Sequence, residues 1–187
     1  ADCIQSGTIT VKGKTAKIQQ PKDAIANGIA LLTEDRKGQG LILDMSVREN
    51  ATFAIMRQLS SGLFVDRKKQ KELTEKKRQE LAIKTPHIEQ KVKFLSGGNQ
   101  QKVVLAKWLL TNCDILIFDE PTRGIDVGAK QEIYALMHRL TEEGKSIIMI
   151  SSEMPELLGM SDRVLVMHEG AVAGELQKEA FSQEEVL

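Results

Sequence analysis

Ile115-Leu116-Ile117-Phe118-Asp119-Glu120 is the stretch from which the rest of the chain is read. Four apolar residues followed at once by two carboxylates describe a central β-strand that delivers acid at its C-terminal end. Open α/β sheets bind ligands in the crevice beyond that edge. Successive strand residues alternate between faces, so Asp119 and Glu120 are expected to point apart and to do different work. In phosphoryl-transfer sites one acid holds Mg2+, commonly with water between, and a second orients or deprotonates an attacking water. A free Glu carboxyl titrates near about 4.3, so a base role asks for burial or a neighbouring charge. Two solvated acids at a strand end account for the same six residues.

Upstream, Leu95-Ser96-Gly97-Gly98-Asn99-Gln100-Gln101-Lys102 runs into an apolar helical stretch, Val103–Leu110. Ser96 is placed to cap that helix, and the two glycines leave backbone N–H groups bare at the positive end of its dipole. Such a terminus receives phosphate; a capped helix with a flexible entry is the plainer account. Further out, residues 8–18 alternate as strands around a Lys12-Gly13-Lys14 turn. Pro21 opens a short helix that Gly28 stops, and Ile29–Leu32 is a short apolar strand. Thr33–Gly40 is a charged, Gly-containing loop, and a helix-prone lobe follows to about Lys93. Downstream, Ile133, Leu136, Met137 and Leu140 mark one face of a helix ending at Gly144. Ile147–Ile150, Val164–Met167 and Ala171–Leu176 complete the strands. Apolar strands separated by helices imply βαβ units and a buried parallel sheet.

Composition narrows the classes. In 187 residues, 41% hydrophobic and 28% charged content is ordinary for a globular domain and argues against wholesale disorder. Lys+Arg and Asp+Glu are both 26, so no overall field draws the chain to nucleic acid. The charge is uneven: Asp66–Lys93 holds ten basic residues against five acidic. No aromatic lies between Phe64 and Phe94 to stack bases, so a solvated helix face is the favoured reading over a nucleic-acid arm. Cys3 and Cys113 are too few for a disulfide framework or a Cys-bound zinc, and His87, His138 and His168 lack ligand spacing. Apolar runs are too short to span a bilayer, and no signal-peptide pattern opens the chain. A cytosolic, soluble α/β protein is expected, and its start at Ala1 reads as that of a fragment or processed product.

The two glycine- and acid-bearing motifs, in this order and about twenty residues apart, resemble those of an ATP-binding-cassette (ABC) ATPase. Leu95–Gln100 is similar to the family signature and Ile115–Glu120 to its Walker B strand. Gly124-Ile125-Asp126 resembles the D-loop, and Ser151-Ser152-Glu153 falls at the switch region. Glu34-Asp35-Arg36-Lys37, Leu95–Lys102, Asp119–Lys130 and Ser151–Leu158 resemble the second cassette of the tandem ATPase subunits of bacterial monosaccharide importers, the ribose and galactose type. The similarity runs from Ser6-Gly7 to about Gly174.

This resemblance implies a P-loop NTPase-like (ABC ATPase) α/β parallel sheet with a helical subdomain at about 50–110, truncated at its N-terminus. It implies ATP and Mg2+ as cofactors, sandwiched between two cassettes. Ser96, Gly97 and Gly98, with Gln100 in the same motif, would meet ATP held by the partner cassette. Asp119 would bind Mg2+, Glu120 would activate water, and Asp126 would cross the interface. The basic lobe would face transmembrane permease subunits, with a sugar-binding protein as an indirect partner and no nucleic acid. The protein would sit peripherally on the cytoplasmic face of the inner membrane and power monosaccharide import.

Three departures qualify the expectation. No Gly-x-x-x-x-Gly-Lys-[Ser/Thr] occurs; Gly7–Thr15 has one residue too many and alternates as a strand. The loop that carries a metal-binding Gln in the family has Glu34, which can bind Mg2+ but adds negative charge. The switch position, usually His, is Ser152, which offers a hydroxyl in place of an imidazolium. These leave open a non-catalytic half-cassette that supplies the signature to a partner's ATP site. The DNA-repair and chromosome-structure ATPases sharing this signature fit less well, because the lobe is too short for their coiled coils.

Overall fold

The computed structural model describes residues 6–61 and 64–181; Ala1 and Cys3, singled out above, lie outside the described residues. β1 (Thr10–Val11) and β2 (Lys14–Thr15) form an antiparallel hairpin. Its turn is Lys12-Gly13 alone, with φ of 51° and 74°, the positive pair that a two-residue turn needs to match strand twist. Lys14 is therefore in a strand, and no helix follows Thr15 to aim N–H groups at a phosphate. α1 (Pro21–Ala26) opens on its proline, whose missing N–H is harmless in a first turn.

β3 (Ile29–Leu32) leads into a single π-type turn, Arg36–Gly40, where a plain loop was expected. Asp35 shapes its entry by accepting the Gly38 N–H at 2.9 Å. α2 (Val47–Thr52) starts in a capping box, Ser46 with Glu49. A 3-10 turn, Phe53–Leu59, and the two-residue strands β4 (Ser60–Ser61) and β5 (Phe64–Val65) lead to α3 (Arg67–Glu80). α3 buries only Gln70 and Thr74. Its acids serve its own cations, Glu75 with Arg78 and Glu80 with Lys77 at 2.6 Å, which is how a solvated basic face is built.

α4 (Gly97–Leu109) and β6 (Ile115–Asp119) follow, then α5 (Val127–Glu142), β7 (Ser146–Ile150) and α6 (Met154–Met160). β8 (Arg163–His168) and β9 (Ala171–Gln177) follow, and a 3-10 turn, Lys178–Ala180, is the last element described. β3, β6 and β7 form one parallel sheet with β6 in the middle; Leu32 pairs with Phe118, and Asp119 with Ile150. β8 and β9 make a separate antiparallel hairpin rather than extending that sheet.

One face of the sheet is packed. Leu32, Leu116 and Phe118 join Val103, Val104 and Leu105 of α4 and Ile133, Leu136 and Leu140 of α5 in a single core. Phe118 is 1% exposed; truncating such a ring to alanine costs about 3–5 kcal/mol, so the strand that presents Asp119 is firmly held. The opposite face departs from the expected two-sided burial. Leu31, Ile148 and Ile150 there are each about half exposed, because among the described residues no helix layer covers them. An apolar sheet face of this kind is a surface whose burial needs another element.

Candidate functional site

β6 stops at Asp119, and Glu120 leaves the strand through a left-handed kink, φ 46°. Strand alternation therefore does not decide where Glu120 goes, as the sequence had suggested; the kink does. The Glu120 N–H donates to the Ile150 carbonyl at 2.9 Å, which keeps the kink attached to β7. Glu120 Oε1 accepts the Ser152 N–H at 2.9 Å. The structure thus joins Glu120 to the switch-region residue, though Ser152 contributes backbone here and not its hydroxyl. Asp119 and Glu120 are both half-buried, and neither has a Lys or Arg within ion-pair distance among the described residues.

Beyond Glu120, Pro121 and Thr122 are buried and Gly124 turns the chain at φ 65°. The Ile125 N–H returns to the Thr122 carbonyl at 3.2 Å. Asp126 is exposed and caps α5 by accepting the Ala129 N–H at 2.9 Å. Its carboxylate therefore stands at the start of a helix, where negative charge is favoured.

α4 begins six residues earlier than its apolar stripe indicated, because its first turn is glycine and amide rather than hydrophobe. Ser96 occupies the N-cap position but accepts no backbone N–H. Its Oγ instead takes the Asn99 Nδ2–H at 2.9 Å, while Asn99 Oδ1 receives the Lys84 N–H at 2.7 Å. The expected side-chain cap is replaced by this bridge. Gly98 is sterically required by the fixed Cβ of Ala129, whereas Gly97 faces the movable end of Arg36 and one backbone oxygen. A Cβ on Gly98 would lie 2.7 Å from Ala129 Cβ; one on Gly97 would lie 2.9 Å from Arg36 Nη2 and 3.2 Å from the Gly124 carbonyl oxygen. Gln100 is turned inward, 3% exposed, and its Nε2 donates to the Val92 carbonyl at 3.1 Å. It lines, with Arg36, Lys37, Leu43, Lys93, Leu95, Gly97 and Gly124, a cleft of about 270 Å³.

Glu34 is paired rather than isolated: one of its carboxylate oxygens is engaged by the exposed Arg123 guanidinium. Among the described residues no group of three His, Cys, Asp or Glu side chains could hold a metal ion unaided. A single carboxylate at the site does fit Mg2+, which typically keeps several waters and takes one or two protein carboxylates along with substrate phosphate oxygens.

Three contributors were not foreseen. Arg36 donates from Nη1 to the Arg123 carbonyl at 2.8 Å and from Nη2 to the Gly124 carbonyl at 3.1 Å. Glu156, 4% exposed, accepts the Ser151 hydroxyl at 2.6 Å and ties α6 to the end of β7. Glu132 of α5 takes Lys102 of α4 at 2.7 Å and Lys84 at 2.8 Å, and those two ammonium groups, Lys102 foremost, hold its carboxyl down at about 2. The charge density of Glu34-Asp35-Arg36-Lys37 was the only sequence signal for any of these.

The ABC transporter family's sequence profile matches residues 2–123. The chain belongs to the ABC transporter family. Within that family it is 53% identical over 188 residues to a Burkholderia ambifaria protein named as a ribose/galactose/methyl galactoside import ATP-binding protein, covering 100% of this chain. It is also 53% identical over 184 residues, 98% of the chain, to the Bacillus cereus ribose import ATP-binding protein RbsA. The chain spans 37% of the length of each of these relatives. Its fold is that of solved ABC cassettes. A dimeric ATP-binding cassette in a post-hydrolysis state with ADP and phosphate superposes with a TM-score of 0.75 at 19% identity, over 95% of this chain and 75% of that one.

Proposed function

We propose that this chain is part of an ATP-hydrolysing subunit that powers uptake of a monosaccharide through an ABC transporter. The observation that carries the reading is the convergence at one sheet edge. The strand ending in Asp119, with Glu120 at the kink beyond it, is followed by the turn at Gly124, which Arg36 hydrogen-bonds beside Gly97 at the start of α4. The helix N-terminus at Ser96–Gly98 would offer backbone donors to the γ-phosphate of ATP bound by another cassette. Asp126, exposed beside it, would face the same partner. Mg2+, when bound, neutralises charge on the phosphates, and Asp119 would hold it.

Glu120 would take the proton of the attacking water. One of its oxygens is held by the Ser152 N–H, which orients the carboxylate for that task. The open apolar face of the sheet is where the phosphate-loop portion of a cassette would pack. Permease subunits, an indirect sugar-binding protein and a peripheral position on the cytoplasmic membrane face belong to the same reading. It accords with the described residues holding no helix long and apolar enough to cross a membrane.

Glu120→Gln in the intact subunit, assembled with its partners, tests this. Turnover should fall by about 10²–10⁴ with ATP binding retained; unchanged turnover would remove Glu120 from the reaction. A second reading, a half-cassette that lends Ser96–Gly98 but does not itself hydrolyse, is favoured by the Glu34–Arg123 pair and by Ser152 in place of an imidazole. One ATP hydrolysed per pair of cassettes, instead of two, would support it.

A further inference from the structure

We infer that Arg36 is a positioning residue: its guanidinium sets where the Gly124–Asp126 turn lies relative to Gly97, so the loop leaving β3 controls the register between two strips offered to one partner. Ser96–Gly98 and Gly124–Asp126 are far apart in sequence and share no hydrogen bond of their own among those described. The strips lie directly against each other, a Cβ on Gly97 falling 3.2 Å from the Gly124 carbonyl oxygen, and Arg36 adds the hydrogen bonds that fix the second strip there. It donates to two successive carbonyls, Arg123 at 2.8 Å and Gly124 at 3.1 Å. Its Nη2 also fills the space that a side chain at position 97 would need. Arginine suits this task because its planar fork presents parallel donors in fixed geometry.

The loop that carries Arg36 is anchored elsewhere. Lys107 of α4 donates to the Gly40 carbonyl at 2.7 Å, and a Cβ on Gly40 would lie 3.2 Å from Val104 Cγ2, so the far end of the loop lies on the same helix. Glu34, two residues before Arg36, grips the Arg123 side chain while Arg36 grips its backbone. The guanidinium is half-buried, and its Nε is enclosed without a hydrogen-bond partner among the described residues. Desolvation lowers its pKa from the ordinary arginine value. Displacing a reacting group by about 1 Å can cost on the order of 10²-fold in rate, which is the scale on which such a strut matters.

The role in turnover rests on the ATPase reading above; the strut itself does not, so the test has two readouts. The first is amide hydrogen exchange on the purified protein in Arg36→Ala and Arg36→Lys. In Arg36→Ala, segment 122–129 should exchange about 10-fold faster or more, with β8–β9 unchanged; Arg36→Lys, with a rotatable ammonium, should restore part of the protection. Unchanged exchange at 122–129 would overturn the inference whatever the activity. The second readout is kinetic, in the intact subunit. Arg36→Ala should lower kcat by about 10–100-fold with KM for ATP within about 2-fold. Faster exchange with an unaltered kcat would equally overturn the positioning role. If the parent subunit turned over no ATP, the ATPase reading would fall, and exchange would still decide whether Arg36 holds the turn.

Discussion

At the edge where the strands of the parallel sheet begin, Asp114 receives both Lys12 and Lys145; at the edge where they end, Asp119 and Glu120 receive no lysine or arginine among the described residues. The first arrangement is self-sufficient. Lys12 comes from the β1–β2 turn and Lys145 from the approach to β7, so one carboxylate staples the hairpin to the sheet, and the two ammonium groups, Lys12 first, pull its pKa down. The second arrangement leaves two acids adjacent, held only by hydrogen bonds through the backbone of residues 120, 150 and 152. They stand at the edge where open α/β sheets bind ligands. The Glu132 cluster lies between these cases: it has the same one-acid, two-lysine composition as Asp114, but Lys102 is 4% exposed where Lys12 is 68% exposed.

The contrast breaks most sharply at Asp119. Asp119→Asn in the intact subunit should lower turnover by about 10²-fold or more, close to 3 kcal/mol of barrier, and leave the melting curve in place. A drop in melting temperature with turnover intact would put Asp119 with the structural acids. Next in size is Glu132→Ala, which leaves the buried Lys102 ammonium only the Ala82 carbonyl at 3.1 Å and should destabilise by about 1–3 kcal/mol in a denaturant titration. Adding Lys102→Met should regain most of that loss.

The same residue has a pH signature. Lys102 and Lys84 hold the Glu132 carboxyl down at about 2 in the fold, well below a free Glu carboxyl. Its contribution is therefore full above about pH 4.5 and is lost as pH falls towards 2, because the unfolded chain binds the proton first. Glu132→Gln should flatten that part of the acid limb. The smallest effect belongs to Asp114→Asn. Its lysines can re-enter solvent, so the melting curve at pH 7 should nearly coincide with the parent's; a large shift would mean that the hairpin staple matters more than exposed ion pairs ordinarily do.

Much of this was open to inspection in the sequence because it depends on neighbours along the chain. Ile115–Phe118 is a strand for its own apolar run, Pro21 and Gly28 bracket α1, and Ile133, Leu136 and Leu140 declare the buried side of α5. Errors appeared where local pattern competes with geometry. The start of α4 was hidden by an amide- and glycine-rich first turn, and Glu120 escaped alternation through its positive φ. Ser96 lost its capping role to Asn99, whose side chain also has Lys84 to satisfy.

The strand ending in acid at Asp119 and the two glycines before Val103 are written within windows of a few residues, and the α/β class in the alternation of apolar strands with helices; these the sequence alone determined. Only the tertiary structure decided the partners. Arg36 reaches Arg123 and Gly124 across 87 and 88 residues, Glu34 reaches Arg123 across 89, and Lys102 reaches Glu132 across 30. Which charge meets which carbonyl or carboxylate over such separations is set by the order of strands in the sheet and the packing of α4 on α5. The identity of the side chains allows many other pairings, and only the folded topology brings these particular groups within hydrogen-bonding reach.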